Sequence, residues 1–252
     1  MTTATSIITT EFGGFPFVDA EFAPGRLLTA VACCRYAREH AGTTPGREEL
    51  AAVLQPDNAL RIRRLDLILE LPHAELTPTQ LTEVDQTRRH IGELMPRWQP
   101  LLDLPLAFLG LRHSKAISSS NFAWPQHIFL AEAAFASPTT LAEQVLHEIS
   151  HQWLYFIEEM WPLQEEGSPR FTLPSGTGGR SASELLGASH VVVNPHQLWS
   201  ILPADADLRE RRLRHLRQYG ARCQGLLDTA HSALTTEGQT LAHRLSKELR
   251  QL

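Results

Sequence analysis

Apolar residues recur every three or four positions along most of this chain, and that spacing predicts helices. From Arg26 to His40 the positions Leu27, Ala30, Val31, Cys34 and Ala37 share one face, and Gly42 with the "GTTPG" stretch ends the element. The same period predicts helices over 47–54 and 80–97, the second through Leu81, Val84, Ile91 and Leu94 with Pro96 near its end. A longer helix begins at Ser137-Pro138, where Thr140 and Glu143 have capping-box spacing. Its apolar positions are Leu141, Val145, Ile149, Trp153, Phe156, Ile157 and Met160. Ser181 and Glu184 give a similar start signal for a helix carrying Leu185, Leu186, Ser189, His190 and Val193, which Asn194-Pro195 is expected to kink or break. Two more helices are expected near 207–232 and 235–250.

Two apolar runs, "LPLAFLGL" at 104–111 and "QHIFLA" at 126–131, have the length of strands, and the polar "HSKAISSSN" reads as the loop between them. Residues 1–24 show no helical period and read as irregular or extended, and 165–180 is a connection rich in Gly, Pro and Ser. The expected fold class is mainly α with a small β-sheet (α+β), one domain over 1–252, with no repeat and no linker.

A chain of 252 residues buries a substantial core. With 42% hydrophobic and 20% charged residues it has an ordinary globular composition, and a net charge of −5 argues against a molecule built to grip nucleic acid. No run reaches the ~18 apolar residues of a membrane span. The first residues lack the basic and apolar regions of a signal peptide, so the cytoplasm is the expected compartment. Cys33, Cys34 and Cys223 make neither a disulfide framework nor a C-x-x-C knuckle and read as buried thiols. "LRERRLRHLRQYGAR" at 208–222 reads as a solvated basic helix with Leu208, Leu213, Leu216 and Tyr219 as its apolar stripe. His113, His127 and His196 each read as surface or hydrogen-bonded histidines.

The chemistry concentrates in His147-Glu148-Ile149-Ser150-His151. Histidines four apart on a helix lie one turn apart on one face, so both imidazoles can meet one ion. Most apolar positions of the same helix lie elsewhere on its circumference. Leu154 and Ile157 stand where the metzincin pattern needs Gly and His, which excludes that class. A third ligand has two candidates, Glu184 and His190. With zinc, Glu148 would be the general base of a metallopeptidase.

The stretches "SSSNFAWPQHIFLA", "LAEQVLHEISHQW" and "GGRSASELLGASHVVVN" together resemble the HExxH-motif peptide-modification family, whose members occur with ribosomally made peptide natural products. The resemblance spans about residues 110–200 and falls on the H-E-x-S-H-Q helix, on Gly179-Arg180, on His190 and on Asn194. Ser181 replaces the usual Pro, and Pro195 interrupts a helix that normally continues. The resemblance implies an Fe(II)/α-ketoglutarate (2-oxoglutarate)-dependent hydroxylase acting on a side chain, at Cβ, of a peptide. Its metal ligands would be His147, His151 and His190. Arg180 would take the distal carboxylate of α-ketoglutarate, with Arg170, Arg112 and Lys115 in reserve, and Asn194 would face the cofactor. Glu148 would be an additional ligand or would orient an imidazole. The expected substrate is a ribosomally made precursor peptide, or a carrier-bound or free amino acid. The strand at 126–131 is expected to offer it an accessible edge. Two alternatives stand beside this one, a zinc metallopeptidase and a non-catalytic peptide-binding partner.

Overall fold

The computed structural model describes residues 6–63 and 73–252. Among these the order is α1 (Ile7–Phe12), α2 (Pro24–Glu39), α3 (Arg47–Val53), α4 (Pro56–Arg63), β1 (His73–Glu75), α5 (Pro78–Leu94), α6 (Gln99–Leu102), β2 (Ala107–Leu111), β3 (Ser118–Ser119), β4 (His127–Leu130), α7 (Pro138–Met160), α8 (Ala182–Ile201), α9 (Ala206–Ala230) and α10 (Thr236–Leu249). The protein is mainly helical with a small mixed sheet. It divides into two compact units, one of residues 24–156 and one of residues 1–23 with 157–252, so the boundary falls inside α7.

In the unit of residues 24–156 the sheet order is β1-β2-β4-β3, with β2 and β4 parallel and the outer pairs antiparallel. β4 is buried along its whole length, as its central place requires. Gln126, just before it, has a left-handed φ of 62° and a fully buried side chain. Its amide donates to Leu54 O and Pro105 O and accepts from the buried Arg35 guanidinium at 2.5 Å. Arg35 also donates to Val53 O, which ties α2 and the end of α3 to the sheet. Ala32, Tyr36 and Val53 form the buried cluster of these N-terminal helices, with Leu50, Leu54 and Ile62 against it.

In the other unit α8 is buried on most of its circumference, from Leu185 to Trp199. α9 and α10 pack on it. Gly220 makes this approach possible, because a Cβ there would come within 3.2 Å of Val192 Cγ1 and Leu249 Cδ2. Arg244 fastens α10 to the N-terminal segment through Asp19 at 2.7 Å and Val18 O.

Several expectations are corrected. Residues 7–12 are helical, because Ile8 and Phe12, one turn apart, are both buried and Gly13 closes the helix at φ 74°. The N-terminal hydrogen bond of α7 comes from Ser137, whose Oγ accepts from Thr140 N at 3.1 Å, so Thr140 is not the cap. α8 runs through Pro195 without a break. The proline removes one donor to Val191 O, and the buried residues on either side hold the helix together. β4 is flanked by β2 and β3, so the strand at 126–131 has no accessible edge, and the edge on that side belongs to β3, in the stretch expected to be a loop. Cys33 and Cys34 are exposed and only Cys223 is buried. α4, α6, β1 and β3 were not foreseen.

Candidate metal centre

α7 is amphipathic in the way its period demands. Leu141, Val145, Ile149, Trp153, Phe156 and Ile157 are buried, and Gln144, His147, His151 and Tyr155 come partly to the surface. Two polar residues of the motif are structural. Gln152 is buried, accepts from Gln126 N at 2.8 Å and donates to His127 O at 3.0 Å, which sets the register of α7 against β4. Ser150 Oγ returns to Leu146 O at 2.7 Å within the helix. Trp153 Nε1 donates to Leu101 O at 2.8 Å and anchors the helix to α6.

Held this way, α7 brings His147 and His151 together, with ring centroids 5.0 Å apart and planes at 63°. Tyr155, one turn on, stacks on His151 at 6.0 Å and meets Phe122 edge-on at 5.7 Å. Glu148 turns inward. Its side chain is 3% exposed, and Oε1 lies 3.8 Å from His147 Nε2 and 2.5 Å from Ser118 Oγ. Its Oε2 is buried with no hydrogen-bond partner among the described residues. Two partly exposed imidazoles, edge to face, with a buried carboxylate beside them bring potential donors to one turn of α7. The full ligand set is not gathered, since among the described residues no group of three His, Cys, Asp or Glu side chains is placed to hold one.

The other expected residues lie on the segment 180–194. His190 is fully buried, and its Nε2 contacts Pro16 O at 2.8 Å and Asn194 Nδ2 at 3.2 Å. A carbonyl only accepts, so Nε2 carries the proton. The Asn194 amide is then best turned, with its oxygen toward that N–H. Nε2 is therefore engaged with Pro16 O in this arrangement. Arg180 Nη1 donates to Glu184 Oε1 at 2.6 Å, with both side chains 42% exposed.

Glu184 completes the capping box with Ser181, which occupies the carboxylate that a thermolysin-like site would need. Burial pushes the Glu184 carboxyl up, but the Ser181 N–H and the Arg180 guanidinium outweigh it and hold it below the usual value. His127 is buried and donates Nδ1–H to Pro125 O. His113 is exposed, and burial, with Arg217 nearby, lowers the pKa of His196.

Sequence reasoning missed Ser118, Gln144 and Tyr155. Gln144 and Tyr155 were within reach, because they sit one turn from Glu148 and His151. Ser118 carried no local signal. Neither the known protein families nor the curated proteins contain a match to this chain.

Proposed function

We propose that this protein is a non-haem iron(II), α-ketoglutarate-dependent hydroxylase of a peptide, a peptide-like molecule or a free amino acid, the last favoured by the covered strand at 126–131, with its metal on the imidazole pair of α7. The observation that carries it is the pair itself: two half-exposed histidine rings 5.0 Å apart on the H-E-x-S-H-Q helix. The resemblance of that helix and of the segment 179–194 to the peptide-modification family supplies the choice of iron chemistry. When bound, iron and α-ketoglutarate consume dioxygen, release succinate and carbon dioxide, and put one oxygen atom into a C–H bond of the substrate.

The chain's own residues do the rest. His147 and His151 bind the ion as neutral imidazoles. The sequence pattern assigns the third position to His190, the grip on the cosubstrate carboxylate to Arg180, and a cofactor-facing amide to Asn194. Tyr155 stacks on His151 and walls one face of that ring. A specific observation favours a second reading, zinc-dependent peptide hydrolysis. Glu148 is held beside His147, where a general base would stand.

Metal analysis of protein purified without oxygen tests the assignment. Stoichiometric iron, lost in His147→Ala, in His151→Ala and as severely in His190→Ala, and kept in Glu184→Ala, is expected. Zinc retained in His190→Ala and lost in Glu184→Ala would move the protein to the hydrolase class.

A further inference from the structure

α2 carries two neighbouring thiols on its solvent side, Cys33 and Cys34, and both are exposed. The peptide bond between them is trans, so their Cα atoms lie ~3.8 Å apart. A disulfide needs about 4.4–6.8 Å between Cα atoms, so these two cannot bridge each other while α2 stays helical. Each thiol can be oxidised only outward, toward a sulfur of another molecule. Cys223 does not supply that sulfur, because it is buried on α9.

The surface around the pair decides which molecule that is. Thr29, Cys33, Cys34, Ala37 and Arg38 are exposed and Ala30 is half-buried, whereas the opposite side of α2 is buried. These outward positions mirror themselves about the Cys33–Cys34 peptide. Two antiparallel copies of α2 related by a twofold axis through that point set Cys33 against Cys34, Ala30 against Ala37 and Thr29 against Arg38. Small side chains meet small ones, and over residues 29–38 no two like charges are opposed. Packed helices lie ~8–10 Å apart, and Cα cylinders of ~2.3 Å radius then leave about 3.5–5.5 Å between facing Cα atoms. The alanines permit that approach, and the spacing overlaps the disulfide range. One helix face buries far less than the about 1,200–2,000 Å² of a stable interface, so the bonds and not the surface hold such a pair.

We propose that oxidation joins two copies of this chain through α2 by two crossed disulfides, each from Cys33 of one copy to Cys34 of the other, and that reduction separates them. For each bond, one thiolate attacks a disulfide oxidant such as oxidised glutathione, forms a mixed disulfide and expels a glutathione thiolate. The facing thiolate then attacks the protein sulfur and expels the second glutathione thiolate. Two protein thiols become one disulfide, the oxidant is reduced to two glutathione molecules, and the two thiol protons pass to them. The contact lies on an outer helix face of the unit of residues 24–156 and does not depend on the metal-centre reading.

Full-length protein treated with oxidised glutathione is followed by size-exclusion chromatography and by mass spectrometry of the intact product. The expected product is a dimer without free thiols at Cys33 and Cys34, returned to monomer by dithiothreitol. A monomer carrying glutathione on both cysteines, or a ladder of higher oligomers, overturns the proposal. Mixing Cys33→Ser with an affinity-tagged Cys34→Ser chain reads the register. The mixed cross-link, from Cys34 of one chain to Cys33 of the other, should exceed the dimer of either variant alone severalfold, and equal yields overturn the proposal. Ala37→Gln adds bulk at an exposed position, so its circular dichroism should match wild type while most of the oxidised dimer is lost. A dimer yield equal to that of wild type in this variant contradicts the close approach of the two helices and overturns the proposal as well.

Discussion

At residue 180 one guanidinium has an observed partner and a proposed one. Arg180 holds Glu184 in an exposed i,i+4 pair, and the sequence pattern also asks it to hold a cosubstrate carboxylate. The two roles separate by measurement. Glu184 titrates below the ordinary 4.5, so its ionised form is favoured by folding. The stability it contributes is complete above that value and is lost as the pH falls through the lowered one. Wild type should therefore exceed Glu184→Gln by about 0.2–1 kcal/mol near neutrality, the range of exposed pairs, and chemical denaturation should show the gap closing on acidification. A gap that persists unchanged in acid would mean that the carboxylate contributes nothing through its charge. Arg180→Ala should share that small loss and, in addition, raise the α-ketoglutarate concentration needed for turnover with metal content unchanged. A variant with the stability loss alone would make Arg180 a helix clasp.

Among the elements, α7 decides the site, and Gln152 decides where α7 sits. Gln152→Ala leaves the Gln126 N–H and the His127 carbonyl buried without their partners. Urea denaturation should show a loss of about 1–3 kcal/mol. An undiminished midpoint would mean that this amide does not set the register of helix on strand. Long periodic elements were legible in the sequence: α2, α5, α7, α9 and α10 lie close to where their apolar spacing put them. Their burial follows from one helical face, which the period alone defines. Short elements were not legible. β3 is two serines held by pairing with β4, and pairing partners far apart in sequence leave no local pattern. α1 reads as extended because Ile7, Ile8, Thr9 and Thr10 are β-branched, and burial of Ile8 and Phe12 overrides that preference. The site divides in the same way. His147 and His151 share a face by spacing alone, whereas the burial of His190 against Pro16 depends on how its unit folds.

Across the whole molecule, chemistry-bearing side chains differ sharply in access. Cys33 and Cys34 are exposed on α2, and burial pushes the Cys223 thiol up to about 11 despite its hydrogen bond with Ser189. Alkylation of native protein should modify Cys33 and Cys34 rapidly and Cys223 only after unfolding. Rapid reaction at Cys223 would contradict the packing of α9 on α8. Among the described residues no helix is long and apolar enough to cross a membrane. The imidazole face of α7 carries the proposed chemistry, oxidation rather than hydrolysis. The most direct test is succinate release with iron(II), dioxygen, α-ketoglutarate and peptides encoded beside the gene, for wild type and for Glu148→Gln. Succinate coupled to the gain of one oxygen atom by the peptide, still formed by Glu148→Gln while metal remains bound, is the predicted result. No succinate, with peptide cleavage by the zinc-loaded wild type that Glu148→Gln abolishes, would contradict it.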